Sequence, residues 1–126
     1  MAFGDVGGPV TELMITCVTP ASGTVAIAKG DAVKLVGNYV VDNVTAAEDV
    51  VFGQAMADAT ENEVAIPVKV RGVAVFVYTG SAPTVNGVAG VAASATDGRV
   101  KAPASGNGRG VNVKVDTGAS KVHVLM

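Results

Sequence analysis

Apolar side chains recur at every second position through much of this chain, the period of a half-buried β-strand and not the 3.6-residue period of a helix. Residues 11–19 set Leu13, Ile15 and Cys17 against Met14, Thr16 and Val18, and Pro20-Ala21-Ser22-Gly23 ends that run. A short strand is predicted over 24–28, followed by a tight turn at Lys29-Gly30-Asp31. Residues 32–36 and 39–41 flank Gly37-Asn38, a two-residue link that suits a primed hairpin turn because glycine accepts positive φ. Thr45-Ala46-Ala47-Glu48 has the form of a helix capping box. The β-branched Val50-Val51 and Gly53 that follow favour instead a turn feeding a strand.

Residues 64–71 alternate cleanly and place Lys69 and Arg71 on the outer face. Pro67 has no N–H to give a ladder, so this strand is expected at a sheet edge or with a bulge there. After Gly72 the pattern resumes through Val73, Val75 and Val77. Asn86-Gly87, Asp97-Gly98 and Asn107-Gly108 signal further turns. Val111, Val113 and Val115 form one face of a late strand, and residues 121–126 predict another. Strands this short, separated by turns this frequent, predict an all-β fold, a small β-barrel or β-sandwich. The Gly- and Pro-containing opening, with Phe3, Val6, Pro9 and Val10, reads as an extended N-terminal arm over residues 1–11, ahead of a single β-rich domain over 12–126.

Composition turns this outline toward a scaffold. Valine, alanine and glycine make up about half of the 126 residues, with one histidine (His123), one cysteine (Cys17), no tryptophan and 16% charged residues. Active sites need histidine, thiol or converging polar groups, and these are scarce here. A core of small side chains leaves a thin margin over chain entropy, for which oligomerisation or docking is a common remedy. The lone cysteine excludes an internal disulfide and reads as a small apolar filler beside Ile15. No basic-then-apolar segment marks a secretory signal at the start, and the longest apolar runs, such as residues 73–78, are too short to span a bilayer.

The formal net charge of −2 hides an asymmetry. Residues 1–63 hold nine acids against Lys29 and Lys34, whereas residues 64–126 hold seven bases against Asp97 and Asp116. This division suits either two solvated faces of one domain or acidic and basic surfaces that meet between neighbouring copies or a partner. The bases are too dispersed for a nucleic-acid footprint.

Four motifs resemble sites. Asp116-Thr117-Gly118 matches the aspartic-protease signature, in which two copies pair their carboxylates. Too little chain follows it for a flap, and Lys114 stands where that signature prefers an apolar residue, so a turn between the last two strands is expected. Gly106-Asn107-Gly108-Arg109-Gly110 lacks the Lys-Ser/Thr and the helix of a phosphate-binding loop; it reads as a flexible surface loop whose Arg109 is available to a partner. Asp58, Glu61 and Glu63 do not have the spacing of a calcium loop, and His123 has no spaced partner for a metal. Asn43-Val44-Thr45 fits a glycosylation acceptor, which without a secretory signal is chance. The expectation is no enzyme, no metal and no cofactor.

The order of features also carries a resemblance. An extended arm precedes Gly30-Asp31-Ala32-Val33; then come Phe52-Gly53-Gln54-Ala55 leading into Asp58-Ala59, the alternating run ending in Arg71-Gly72-Val73, a Gly- and Ala-rich stretch, and a Val-rich final strand. From about Gly23 onward this is similar to the short head-decoration (capsid cement) proteins of tailed bacteriophages. The resemblance implies a β-rich domain, usually a homotrimer, on the outer surface of the virion where hexamers of the major capsid protein meet. It would reinforce the expanded shell without catalysis, with no nucleic-acid or membrane partner. Candidate contacts with the capsid or a neighbour are Phe3, Val6, Pro9 and Val10 of the arm, together with Arg109. The alternative class is another virion β-module, a fibre, tail or adhesion domain that binds a glycan or protein; a 4% aromatic content counts against sugar stacking.

Overall fold

A computed structural model describes residues 12–85, 90–104 and 108–126. Among these the fold is all-β, with ten strands and no helix. β1 (Leu13–Val18), β2 (Ala32–Gly37), β3 (Val40–Asn43), β4 (Gly53–Ala55) and β5 (Ala65–Arg71) close into a barrel in the order β1-β3-β2-β4-β5. β6 (Val73–Val77), β9 (Val111–Asp116) and β10 (Lys121–Leu125) form a second sheet with β10 in the middle, and β7 (Ala92–Ala93) pairs with β8 (Val100–Lys101). The arm, with Phe3, Val6, Pro9 and Val10, lies outside the described residues, as do Asn86-Gly87 and Gly106-Asn107.

Two cores result. Inside the barrel, Cys17, Val25, Ile27, Val33, Val41, Ala55, Ile66 and Val68 pack together, with Cys17 filling space beside Ile15 as expected. The alternation along β2 sends Val33 into the barrel and its neighbour Ala32 outward. Ala32 then joins Val44 and Val51 in a second core against Ala74, Phe76, Val122 and Val124 of the other sheet. The barrel's outer wall is therefore covered at Ala32, Gln54 and Lys69, a layered arrangement that lets β2 bury small side chains on both faces.

That layering corrects the placement of Lys69. It lies on the outward face of β5 as the alternation says, but it is buried, because β6 covers that face. Its Nζ donates to Val73 O at 3.2 Å and pairs with Glu12 at 3.3 Å. Gln54, opposite Lys69 on β4, is also buried and donates through Nε2 to Val75 O at 2.8 Å and Gly30 O at 3.3 Å. In the antiparallel β6–β10 pair, Gly72 and Tyr78 bond toward β10, so by alternation Val73 and Val75 turn their carbonyls to the free edge of β6. Two barrel side chains thus cap an edge that would otherwise present open acceptors.

Pro67 sits neither at an edge nor at a bulge. β5 has neighbours on both sides, and the register shift in the β1–β5 pair falls at Leu13/Met14. Thr19 N–H donates to Val64 O, so alternation puts Pro67, opposite Thr16, at a non-hydrogen-bonded position toward β1. Toward β4 the ladder ends at Ala55↔Val68, beyond which Pro67 only accepts, from Met56 N–H at 3.0 Å. The missing donor falls where the short partner strand has run out.

Other expectations shift by a residue or a face. Residues 24–28 form no strand; only Ile27 bridges, to Ala59. The β2–β3 hairpin turns at Asn38-Tyr39, and the positive φ, +57°, belongs to Tyr39. On β6 the buried residues are Ala74 and Phe76, while Val75 is exposed. On β9 a register shift opposite His123/Val124 leaves Val111 and Val113 exposed and buries Asn112, whose Nδ2 donates to Thr84 O and Gly90 O. Residues 46–48 form a turn ahead of β4, Asp97-Gly98 turns between β7 and β8, and β10 falls within the predicted last strand.

Candidate interaction surface

The open end of the barrel is apolar. Ile15 on β1, Leu35 on β2, Phe52 just before β4 and Tyr39 at the hairpin tip line one shallow depression together with Gly37 and Asn38. Leu35 and Phe52 also line an adjoining groove with Val36, Val50, Lys34, Asp49 and Arg109. Val50 is 77% exposed, Tyr39 68%, Val36 50% and Leu35 48%, so this is a continuous apolar surface and not a set of isolated side chains. Leu35 has the parity of Val33 and would enter the barrel, but it stands at the end where the barrel opens. Tyr39 is displayed by a left-handed backbone that glycine or asparagine normally supplies, a conformation that costs a tyrosine of order 1 kcal/mol.

A polar rim borders the groove. Lys34 Nζ meets Asp49 Oδ2 at 3.1 Å and Thr45 Oγ1 at 3.4 Å. Arg109, expected on a flexible loop, is held at both ends: its backbone bridges Val91, and its guanidinium donates to Val70 O at 2.9 Å. It is half-buried and presents part of its side chain to the groove. An apolar centre with charges at the margin is the usual build of a protein-binding patch. Among the five residues expected to make partner contacts, Arg109 is the one the described structure contains. The patch itself escaped the alternation pattern, because Leu35 has core parity but stands at the open end, and Tyr39 and Val50 lie outside the strands.

The residue types that suggested chemistry are not brought together. Cys17 lies inside the barrel and His123 on the second sheet, so the thiol has no imidazole beside it; burial pushes its pKa up. Asp116 Oδ1 accepts the N–H groups of Gly118 and Ala119 at 3.1 Å each, which makes residues 116–119 a self-bonded turn joining β9 and β10. Asp58 Oδ1 accepts Lys29 N–H at 2.7 Å. Asn43 is buried and donates to Ala26 O. Among the described residues no three His, Cys, Asp or Glu side chains converge as a metal site, and no helix is long and apolar enough to cross a membrane. Two of the three ion pairs among the described residues, Glu12–Lys69 and Glu48–Lys101, join the acidic first half to the basic second half within one molecule.

Comparison with protein-family models and with curated proteins found no match to this chain.

Proposed function

We propose that this chain is a structural capsid-decoration protein that binds the outer surface of a phage head and stabilises the expanded shell. The observation that carries the reading is the pairing of a chemically sparse all-β scaffold with the exposed apolar surface of Leu35, Val36, Tyr39 and Val50 beside the half-buried Phe52. Such a surface earns its place through contact, since Leu35, Val36, Tyr39 and Val50 belong to neither core. The likeness in feature order to head-decoration proteins supplies the partner: the major capsid protein, with the arm of residues 1–11 as a second attachment and a homotrimer as the assembly. Many modest contacts repeated over one shell act together through multivalency.

The test mixes the purified chain with expanded empty phage capsids and with unexpanded shells. Stoichiometric binding to expanded shells and a raised temperature of shell disruption are expected; no binding to either form sinks the proposal. Tyr39→Gly, which accommodates the positive φ, and Val50→Ser are expected to weaken attachment at least tenfold while the free chain melts within a few degrees of the parent. Deleting residues 2–11 should weaken attachment more than folding.

A further inference from the structure

At the apolar mouth β2 outruns its neighbour. β4 pairs with β2 only at Ala32↔Gln54 and Val33↔Gly53, whereas β2 continues to Gly37. Val44 N–H donates to Ala32 O on the β3 side, and Phe52 N–H donates to Val33 O on the β4 side. Alternation therefore turns the N–H and C=O of Leu35 toward the β4 side as well. The chain ahead of Phe52 has left the ladder there, and among the described residues neither group of Leu35 has a backbone partner.

An unpaired strand edge is a template for another strand. The free edge of β6 is capped from within by Gln54 and Lys69, and no described side chain does the same for Leu35. A groove of about 360 Å³ lies along this edge instead, lined by Leu35 and Val36 on β2 and by Asp49, Val50 and Phe52 of the chain that leads into β4. An extended segment laid there gains main-chain bonds from Leu35 and apolar contact from the groove walls, the two components of recognition by strand addition.

Charge narrows what that segment carries. Lys34 and Asp49 satisfy each other at 3.1 Å across the groove's margin. Arg109, the other charged residue of the groove, uses one donor on Val70 O and takes part in none of the three ion pairs among the described residues. One cation is thus in excess, and it is half-buried and held in position. A guanidinium fixed in this way favours a carboxylate, whose two oxygens match its remaining N–H groups.

We infer that the free edge of β2 at Leu35 takes an extended strand of the partner protein, apolar at alternate positions and carrying a carboxylate for Arg109. This mode of attachment rests on the mouth being a protein-binding surface, as proposed above, and adds the chemistry of what is bound. NMR titration of the isotope-labelled full chain tests it, with the synthetic strand acetyl-Thr-Val-Glu-Val-Thr-amide and its central-lysine counterpart as probes. Saturable shifts at Leu35 and Val36 are expected with the glutamate peptide in the low-millimolar range, with affinity for the lysine peptide at least tenfold lower. The Leu35 amide should exchange with solvent at least tenfold more slowly when the glutamate peptide is bound. Arg109→Glu should invert the preference between the two peptides. No saturable shift with the glutamate peptide, equal affinity for both peptides, or an unchanged Leu35 exchange rate at saturation overturns the inference. So does an unaltered preference in an Arg109→Glu chain that keeps the parent melting temperature. Slow Leu35 exchange already present in the free chain also overturns it: loss of that protection on deleting residues 2–11 assigns the edge to the chain's own arm, and loss on dilution assigns it to a second copy. Phage capsids take no part in these measurements, so peptide binding by a chain that ignores capsids sinks the decoration reading alone, and capsid attachment without the peptide response sinks the strand-addition mode alone.

Discussion

Replacing Gln54 with leucine tests how the barrel is joined to the second sheet. The amide is buried, and its Nε2 serves Val75 O at 2.8 Å and Gly30 O at 3.3 Å. Leucine has nearly the same volume but no donor, so the substitution isolates the hydrogen bonds from the packing. Leaving a buried acceptor without a partner costs about 1–3 kcal/mol. Val75 O, with the shorter bond, should account for most of the loss, and apolar burial by leucine returns a fraction of it, for a net of about 2 kcal/mol. At roughly 2.1 cal/mol/K per residue, a chain of 126 residues has an unfolding entropy near 0.26 kcal/mol/K, so the melting temperature should fall by about 8 °C. Urea unfolding gives an independent figure through a lowered midpoint at unchanged slope. Gln54 and Lys69 face each other across β4–β5 and cap neighbouring carbonyls of one edge, so Gln54→Leu and Lys69→Met should be non-additive by at least about 0.5 kcal/mol. A Gln54→Leu loss under about 0.5 kcal/mol, or strict additivity with Lys69→Met, would refute the account of the capped edge.

Three further outcomes follow from single positions. A Cβ on Gly53 would stand 2.5 Å from Lys69 O and 2.7 Å from Val68 Cγ1 in the β4–β5 pair, so Gly53→Ala should destabilise by about 1–3 kcal/mol in urea melts; a neutral result would mean that β4 moves freely. Burial pushes the Cys17 thiol above its usual pKa, so the unfolded chain ionises first: stability from this group is intact below the ordinary thiol range and falls as pH rises through the raised value. Native chains should therefore react with a thiol reagent at least about a hundredfold more slowly than urea-unfolded ones, and comparable rates would contradict the burial. Glu48 accepts Ala104 N–H, which holds its carboxyl below the usual carboxylate value; desolvation opposes this, and Lys101 at 3.2 Å adds to the lowering. The link to residues 101–104 is then complete above the ordinary carboxylate range and lost as pH falls through the lowered value, and a side-chain NMR midpoint at or above the ordinary value would exclude it.

Alternation identified most of these strands and the all-β class, since the two-residue period is a local property of any half-buried strand. It assigned residues correctly to opposite faces of β5 but not to solvent, because what covers the second face is decided by Phe76, Val122 and Val124, which come later in the chain. Lys69 and Gln54 are the cost of that ignorance: polar residues at outward positions that a second sheet then buries. On β9 the valines of 111, 113 and 115 read as one face, but with one extra residue in the ladder Val111 and Val113 are exposed and Asn112 is buried. A bulge depends on the partner's register and leaves no mark in composition. Turns were legible where an Asx-Gly pair sat between strands, as at Asp97-Gly98. They were misplaced where a non-glycine residue took the positive φ, as at Tyr39.

The same comparison bears on function. This chain buries Gln54, Lys69, Asn43 and Asn112 while exposing Tyr39, Leu35, Val36 and Val50, an inversion of the usual partition at eight positions. The buried polar groups have structural tasks: Gln54 and Lys69 close a strand edge, Asn43 holds Ala26, and Asn112 ties down Thr84 and Gly90. The exposed apolar groups have no comparable task inside the molecule. Tyr39 adds backbone strain to its exposure, where a glycine would relieve the strain and lose the ring. A fold whose own core is built of small side chains keeps its most prominent aromatic outside, on a hairpin tip beside an apolar groove. That placement is intelligible when the ring's packing partner is another protein.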